Sequence, residues 1–475
     1  EASSYKERKE TPITDDNDVI KLGYISPDFT GRHPLAFLMQ DVFRFHNASK
    51  FQLHLYSLQE QADDSPEVQK IQNGGATGTT TATKWTVLPG TNAKSMAKTI
   101  QKDKLDILID LCGYTGTSVV AEIMSQRIAP IQVAYMGYPG STGAPYMDYM
   151  IADQVVIPSN LRRYYTESIL FMPHCYFVNS HQFLPPPPTT DTTLASKTAT
   201  VCRSTYNLPP SPAFVFCCPS RPDKIDPKTF QVWLRGVYRT REEGRMSGRL
   251  DMANACLWLL RSDPAQEENL RQTARATLRM EENGVDAHYG HVDIDEWMIF
   301  SDKAPRDTHL QRLALADVIL DTPAYNQHTV GCDSLNAGVP MISLLQPDDD
   351  STVNNQIHTT STPSSDRVTT DKLSSRVGAS LLKNVGGGLE DWLVVADMEE
   401  YKECMVQCAR NDNQWFSSFK HHLLETRETS PLFDTERWVK NLELGLTEMK
   451  LLSDSHQTDT DIYIIDDNGI EMQQQ

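Results

Sequence analysis
The chain has 475 residues, with 44 Lys+Arg against 63 Asp+Glu for a net charge of -19; this length accommodates two or three domains, each with its own core. The acidic balance argues against a phosphate-tracking nucleic-acid binder, because no sustained basic stripe is present, and an anionic ligand must then be held by a local pocket. No apolar run approaches the roughly 18 to 20 residues that span a bilayer, and the charged start Glu1 to Glu10 lacks an apolar signal region, so neither a membrane nor nucleic acid is an expected partner and an intracellular setting is expected.

Residues 1–18 are polar and are expected to form a flexible N-terminus. From Val19 the pattern Val-Ile-Lys-Leu-Gly-Tyr-Ile-Ser predicts a strand, followed by a loop from Pro27 to Pro34 and a helix over Leu35 to Phe45. Phe51 to Leu58 alternates as a strand should, and the Gly/Thr/Asp-rich stretch 61–83 reads as an exposed loop. Ala93 to Lys102 is helical in pattern; Leu105 to Leu111, Ile131 to Met136 and Tyr149 to Ala152 are strand-like, the first two running into glycine-rich turns at 113–116 and 137–143. Strands alternating with helices in this way predict a doubly wound, Rossmann-like lobe over 19–183.

Leu184 followed by four prolines opens an expected linker over 184–212. The α/β rhythm then restarts at Ala213 to Cys218 and continues through Cys256 to Leu260, Asp317 to Leu320 and Met341 to Leu345, which predicts a second Rossmann-like lobe over 213–452. Polar stretches near 240–254, 283–296 and 347–374 interrupt it, the last expected to be a disordered insertion. Helices are expected over Glu399 to Cys408 and Thr435 to Leu451, and 453–475 reads as a loose acidic tail. Two α/β halves joined by a proline-rich connector predict a cleft enzyme with its ligand between the lobes.

Nine scattered cysteines without Cys-x-x-Cys spacing, and thirteen histidines without ligand spacing, point to neither a disulfide framework nor a metal site. The richest segment is Asp321 to Ser343: a buried strand runs into Thr-Pro, then a polar loop in which Asn326 to Thr329 can cap a helix. A helix N-terminus at the carboxyl end of a parallel strand is a ready phosphate site, and a capped helix in an ordinary α/β domain is the equally available alternative. Asp333 has the chemistry to accept ribose hydroxyls, or to serve as a first-turn acid. Lys224, in the turn after Cys218-Pro-Ser-Arg221-Pro-Asp, can neutralise a diphosphate, or be an exposed turn lysine. Arg306, His309 and Arg312 follow Ala304-Pro305 at i, i+3 and i+6, so they share a helical face that is either a ligand wall or a solvated basic face. In the first half Asp28 and His33 flank a strand-to-helix loop and both can accept a proton, or each is a loop or cap residue, and the glycine-rich turn 137–143, beginning at Gly137, can bring backbone amides close to a sugar or phosphate.

The ordered set Lys21-Leu-Gly-Tyr-Ile-Ser-Pro-Asp-Phe, His33-Pro, Arg127-Ile-Ala-Pro-Ile-Gln-Val, Gly137-Tyr-Pro-Gly-Ser-Thr-Gly-Ala, Met147 to Asp153, Lys224-Ile-Asp-Pro, Leu315 to Pro323, His328-Thr, Ala337-Gly-Val-Pro, Ser375-Arg-Val-Gly-Ala-Ser and Ser430-Pro-Leu-Phe resembles the catalytic region of the O-GlcNAc transferase / SPINDLY glycosyltransferase family over roughly residues 19–450. The resemblance implies a GT-B architecture, two Rossmann-like lobes around UDP-GlcNAc, and inverting, metal-independent transfer of N-acetylglucosamine to Ser/Thr of cytoplasmic and/or nuclear proteins. Carried over, it implies that Lys224 stabilises the diphosphate leaving group, with Arg221 beside it. Ala304, Arg306, His309 and Arg312 would hold the uridine, His328 and Thr329 the phosphates, and Asp333 the ribose. Asp28 and His33 would be the candidates for moving the acceptor proton.

The sequence departs from the family pattern at several points. The Asp28 to His33 loop is about one residue longer than the pattern, Arg221 and Asp223 replace Gln and Tyr, Val330 replaces a second Thr, and Tyr325 replaces a small Cys near the expected N-acetyl position. No tetratricopeptide repeats are visible in this sequence. Two alternatives therefore stand beside the leading expectation. One is a SPINDLY-like protein O-fucosyltransferase using GDP-fucose; the other is a degenerate scaffold that binds nucleotide sugar without catalysis.

Overall fold
A computed structural model describes residues 19–59, 63–74, 83–90, 92–185, 201–282, 293–347, 368–457, 459–465 and 469–474. The strands, in chain order, are β1 (Ile20–Ser26), β2 (Phe51–Ser57), β3 (Lys84–Val87), β4 (Ile107–Asp110), β5 (Ile131–Ala134), β6 (Tyr149–Asp153) and β7 (Ser168–Met172), then β8 (Val215–Cys218), β9 (Cys256–Leu260), β10 (Met298–Ser301), β11 (Val318–Leu320), β12 (Met341–Leu344) and β13 (Val394–Val395), and finally β14 (Thr460–Ile465) and β15 (Gly469–Gln474).

The chain divides into two compact units, Glu1–Phe183 with Thr429–Gln475, and Leu184–Glu428. The first is built on a nine-stranded sheet ordered β15-β14-β7-β6-β5-β4-β1-β2-β3, parallel apart from the β14–β15 hairpin. The second carries a six-stranded parallel sheet, β10-β9-β8-β11-β12-β13. Strands such as β4, β8 and β9 are buried throughout their length. Continuous apolar runs of this kind are what a parallel sheet covered on both faces requires. In both sheets the order reverses at the centre, between β1 and β4 and between β8 and β11, and the crevice outside such a reversal is where α/β sheets bind ligands.

The predicted strands agree with these elements to within a residue or two, whereas the polar stretches fold more than expected. The exposed loop predicted over 61–83 contains a helix, Pro66–Gln72, that buries Val68 and Ile71 at i and i+3. The stretch 240–254 continues the helix Pro227–Ser247, whose start is fixed by the Asp226 carboxylate accepting from the Lys228 and Thr229 amides at 3.1 and 3.0 Å. The helix expected over Leu35 to Phe45 is confined to Pro34–Met39 with a separate turn at Phe43–Phe45, because the Asp41 amide donates to Ser180 Oγ (3.1 Å) instead of continuing the helical ladder.

The expected acidic tail is not loose where it is described. The helix Thr435–Asp454 leads into β14, and Asp461 accepts from Arg162 Nε (2.6 Å), Arg162 Nη2 (2.7 Å) and the Ile169 amide (2.8 Å). Tyr463 stacks on Phe171 with centroids 4.5 Å apart. The second lobe accordingly stops at Glu428 rather than 452. Residues 1–18, 186–200 of the expected linker, 283–292 and 348–367 of the expected insertion lie outside the described residues, but Arg203–Tyr206 forms a helical turn tied by Arg203 Nη2 to Asp317 (3.2 Å), and Thr370 Oγ1 accepts from the Gln346 amide (3.0 Å). No helix among the described residues is long and apolar enough to cross a membrane.

Candidate active site
In the second unit the reversal between β8 and β11 brings two loops together. The loop after β8 ends in a helical turn, Pro222–Lys224, and Lys224 Nζ donates to the Asn326 carbonyl (3.1 Å) in the loop after β11. Its ammonium lies 4.2 Å from the centroid of the Tyr325 ring, and Tyr325 stacks with His328 at 4.9 Å and 21°. Burial pushes the Lys224 ammonium toward deprotonation, and the nearby Asp321 carboxylate is the strongest opposing influence. Arg221 is exposed and paired with Asp223, Nε to Oδ1 at 3.1 Å.

The loop after β11 is organised from below by Asp321, which is fully buried. Its Oδ1 accepts from the Thr322 and Gln327 amides (2.9 and 2.7 Å), and its Oδ2 from Ser343 Oγ (2.7 Å). Burial pushes its carboxyl up to about 6, against the pull of these donors and of Lys224. Asn326 is clamped by its amide to the Ser374 carbonyl (2.8 Å) and by its Oδ1 to the Gly378 amide (3.0 Å). A side chain at Gly378 would put a Cβ 2.2 Å from Asp321 Oδ2, so glycine is required for this approach. Ser374 and the end of the expected insertion thus help to build the site.

The helix His328–Asn336 starts where this loop ends. Its N-terminus, half-buried at His328 and Thr329, carries the positive end of the helix dipole, and His328 lies close enough to Lys224 to feel its charge. His328 Nε2 lies 3.3 Å from the Ser374 carbonyl; burial, then Lys224, push its pKa down to about 3, so the ring is neutral at physiological pH. The second predicted cluster splits. Arg306, at the start of the helix Arg306–Leu313 that follows half-buried Ala304, donates from Nη2 and Nη1 to the two carboxylate oxygens of Asp333 (2.8 and 3.1 Å). His309 Nε2 stands 3.6 Å from Asp333 Oδ2. Arg312 instead turns inward, donating to the Asp302 carbonyl (2.7 Å) beside Tyr206 and Trp258, because a spacing of six residues carries it round the helix from Arg306.

In the first unit Asp28 and His33 lie beyond the carboxyl end of β1. The Asp28 amide donates to Ser26 Oγ (2.9 Å), and His33 Nδ1 caps the helix Pro34–Met39 by accepting from the Leu35 amide (3.3 Å), which leaves Nε2 3.9 Å from Asp28 Oδ1. Burial raises the Asp28 carboxyl above its usual range and His33 opposes this. In the turn after β5 the amides of Gly137, Gly140 and Thr142 have partners within the protein. Gly137 and Gly140 donate to the Tyr135 and Tyr138 carbonyls (2.7 and 3.0 Å), and the Thr142 amide to Glu167 (2.6 Å). Gly137 serves close packing, since a Cβ there would stand 2.1 Å from the Leu111 carbonyl oxygen.

Asp321 and Ser374 escaped the sequence reading, and Asn326 entered it only as part of the loop that caps the helix. One signal was available: β4 ends in Asp110 and β11 is followed at once by Asp321, and Asp110, like Asp321, accepts from loop amides just beyond its strand, those of Cys112 and Gly113 (2.7 and 3.0 Å).

The sequence model of Glycosyl transferase family 41 matches residues 2–198 and 185–442. The chain is 35% identical over 431 residues to an Arabidopsis thaliana protein named probable UDP-N-acetylglucosamine–peptide N-acetylglucosaminyltransferase SEC, a match covering 90% of this chain and 37% of that one. It is 28% identical over 434 residues to a protein from Eustoma exaltatum subsp. russellianum named probable UDP-N-acetylglucosamine–peptide N-acetylglucosaminyltransferase SPINDLY, covering 90% of this chain and 38% of that one. The chain therefore spans less than two-fifths of the length of these relatives. A solved structure of a Thermobaculum terrenum O-GlcNAc transferase mutant aligns with a TM-score of 0.67 at 20% identity, covering 94% of this chain and 71% of that one, which shows the fold, GT-B with two doubly wound lobes. The family expected from the ordered motifs is the one that matches: the chain belongs to glycosyl transferase family 41.

Proposed function
We propose that this chain is the catalytic region of a protein O-GlcNAc transferase, which moves N-acetylglucosamine from UDP-GlcNAc to Ser/Thr of cytoplasmic and/or nuclear proteins with inversion and without a metal. The observation that carries this reading is the Lys224 ammonium tied to the Asn326 carbonyl where the strand order reverses, beside the N-terminus of the His328–Asn336 helix. The names of the relatives support it.

In this reading the acceptor oxygen attacks the anomeric carbon, the bond from that carbon to the UDP oxygen breaks, and Asp28 or His33 takes the hydroxyl proton. Negative charge grows on the departing diphosphate, where Lys224 and the amides at His328 and Thr329 receive it. A preorganised donor of this kind is worth on the order of 10²-fold in rate. Asp333, to whose two oxygens Arg306 donates, is the residue read as the acceptor for a ribose hydroxyl. These positive groups take the role a divalent cation has elsewhere, so a chelator should leave transfer unchanged.

A second reading, a protein O-fucosyltransferase using GDP-fucose, is favoured by Tyr325. Its ring, bulky and partly exposed, stands beside Lys224 and His328 and leaves less room for an N-acetyl group. Incubation of the chain with each radiolabelled donor and a Ser/Thr peptide decides between them. Label from UDP-GlcNAc is expected; label only from GDP-fucose rejects the first reading, and label from neither supports a non-catalytic scaffold. Lys224→Met should lower turnover about 10²-fold with the fold intact, and unchanged turnover removes Lys224 from its role.

A further inference from the structure
Lys224 and the loop it contacts share one buried anion, and nothing in the family motifs gives that anion a task. Asp321 is enclosed on every side described. Thr322 and Gln327 amides meet Oδ1, Ser343 Oγ meets Oδ2, Gly378 leaves no space beyond Oδ2, and Tyr401 Oη donates to the backbone carbonyls of Asp321 (3.1 Å) and Ile342 (3.0 Å). A buried carboxylate is costly without a compensating charge. The cation in its field is Lys224, which in turn is bonded to Asn326, one residue before Gln327.

We propose that Asp321 is a positioning residue for the transfer: its buried carboxylate fixes the loop that leads into the His328–Asn336 helix and acts as the standing counter-charge for the Lys224 ammonium. The inference rests on the reading of Lys224 as the diphosphate-facing cation. The charged and titratable groups acting on Lys224 are Asp321, Cys218, Asp223 and Arg221, with His328 near enough to feel its charge; those facing Asp321 are Lys224, Cys218 and Tyr401. Among these, Asp321 favours the charged ammonium most strongly, and burial opposes it. Removing the charge at Asp321 therefore lets Lys224 lose its proton at lower pH.

Asp321→Asn isolates the charge. The retained Oδ1 still accepts from both amides, and the new Nδ2 donates to Ser343 Oγ, so the loop keeps its hydrogen bonds. UDP binding to the full chain, measured by calorimetry from neutral to alkaline pH, should decline at lower pH in Asp321→Asn than in the unmodified chain; a displacement of one pH unit weakens UDP about tenfold on the falling limb. Ser343→Ala removes a hydrogen bond but no charge and should leave the limb in place. If Asp321→Asn does not fold, Asp321→Ser, which also removes the charge and keeps an oxygen acceptor at that position, should displace the limb in the same direction. A limb that stays where it is, or a loss of affinity equal at every pH, overturns the proposal. An unmodified chain that binds no UDP at any pH overturns instead the reading of Lys224.

Discussion

Arg306 and Asp333 meet through two parallel hydrogen bonds, Nη2 to Oδ1 at 2.8 Å and Nη1 to Oδ2 at 3.1 Å, so that the start of one helix is fastened to the middle of the next. Asp333 is only 1% exposed. Arg306→Ala would remove two charge-assisted hydrogen bonds from that carboxylate, and breaking a buried pair from one side costs about 3 kcal/mol. Urea unfolding should register a loss of that order. Arg306→Lys should recover only part of it, because an ammonium cannot reproduce the planar fork.

His328 makes stability pH-dependent in a defined direction. Its folded-state pKa is depressed to about 3 by burial and by Lys224, below the ordinary 6.5. The folded protein therefore binds fewer protons there than the unfolded chain, and stability falls as pH drops from about 6.5 toward 3. His328→Asn should remove this component, so the difference in unfolding free energy between pH 7 and pH 5 should be smaller in the variant. An equal difference in both proteins would show that the ring is not held neutral by its surroundings.

For Asp28 and His33 the sign is also fixed. Burial raises the Asp28 carboxyl, and a positive His33 beside it lowers it again. If Asp28 takes the acceptor proton, kcat/KM falls on the acid side as Asp28 protonates, and His33→Ala should move that limb to higher pH. A limb that disappears in His33→Ala would make His33 itself the base.

Gly137→Ala tests the packing role assigned to the turn after β5. The added methyl group would stand 2.1 Å from the Leu111 carbonyl oxygen and 2.8 Å from Cys112 Cα. Overpacking of this kind costs about 1–3 kcal/mol, and thermal unfolding should show it. Gly143→Ala meets no atom within 4 Å but sits at a positive φ of 60°, so it reports backbone strain without overpacking, the reverse of Gly137→Ala.

The strands and glycine-bounded turns were readable in the sequence because a parallel sheet buried on both faces demands continuous apolar runs, and Cys256 to Leu260 shows this in its simplest form. What stayed hidden was local polarity that tertiary contacts neutralise. Asp461 reads as tail acid, yet Arg162 and the Ile169 amide bury it; the 240–254 stretch reads as loop, yet Thr240 and Arg241 are buried in a long helix. At the candidate site the side chains with the most evident chemistry, Lys224, His328 and Asp333, could be named from their positions after strands. Asp321 and Ser374 could not, since their work is to accept hydrogen bonds from backbone and hydroxyl groups whose proximity only the fold creates. Arg312 shows the limit of helical spacing, which places residues on a face but does not say which of them turns toward the neighbouring helix.

The first unit is assembled from two segments separated by the whole of the second, Glu1–Phe183 and the stretch from Thr429 onward. During synthesis the ribosome delivers β1 to β7 first, and their sheet must wait, with the side of β7 that later receives β14 uncovered, until more than two hundred further residues have emerged. An unpaired strand edge is a site for unwanted pairing, so until β14 arrives the β7 edge of this sheet is open to such contacts.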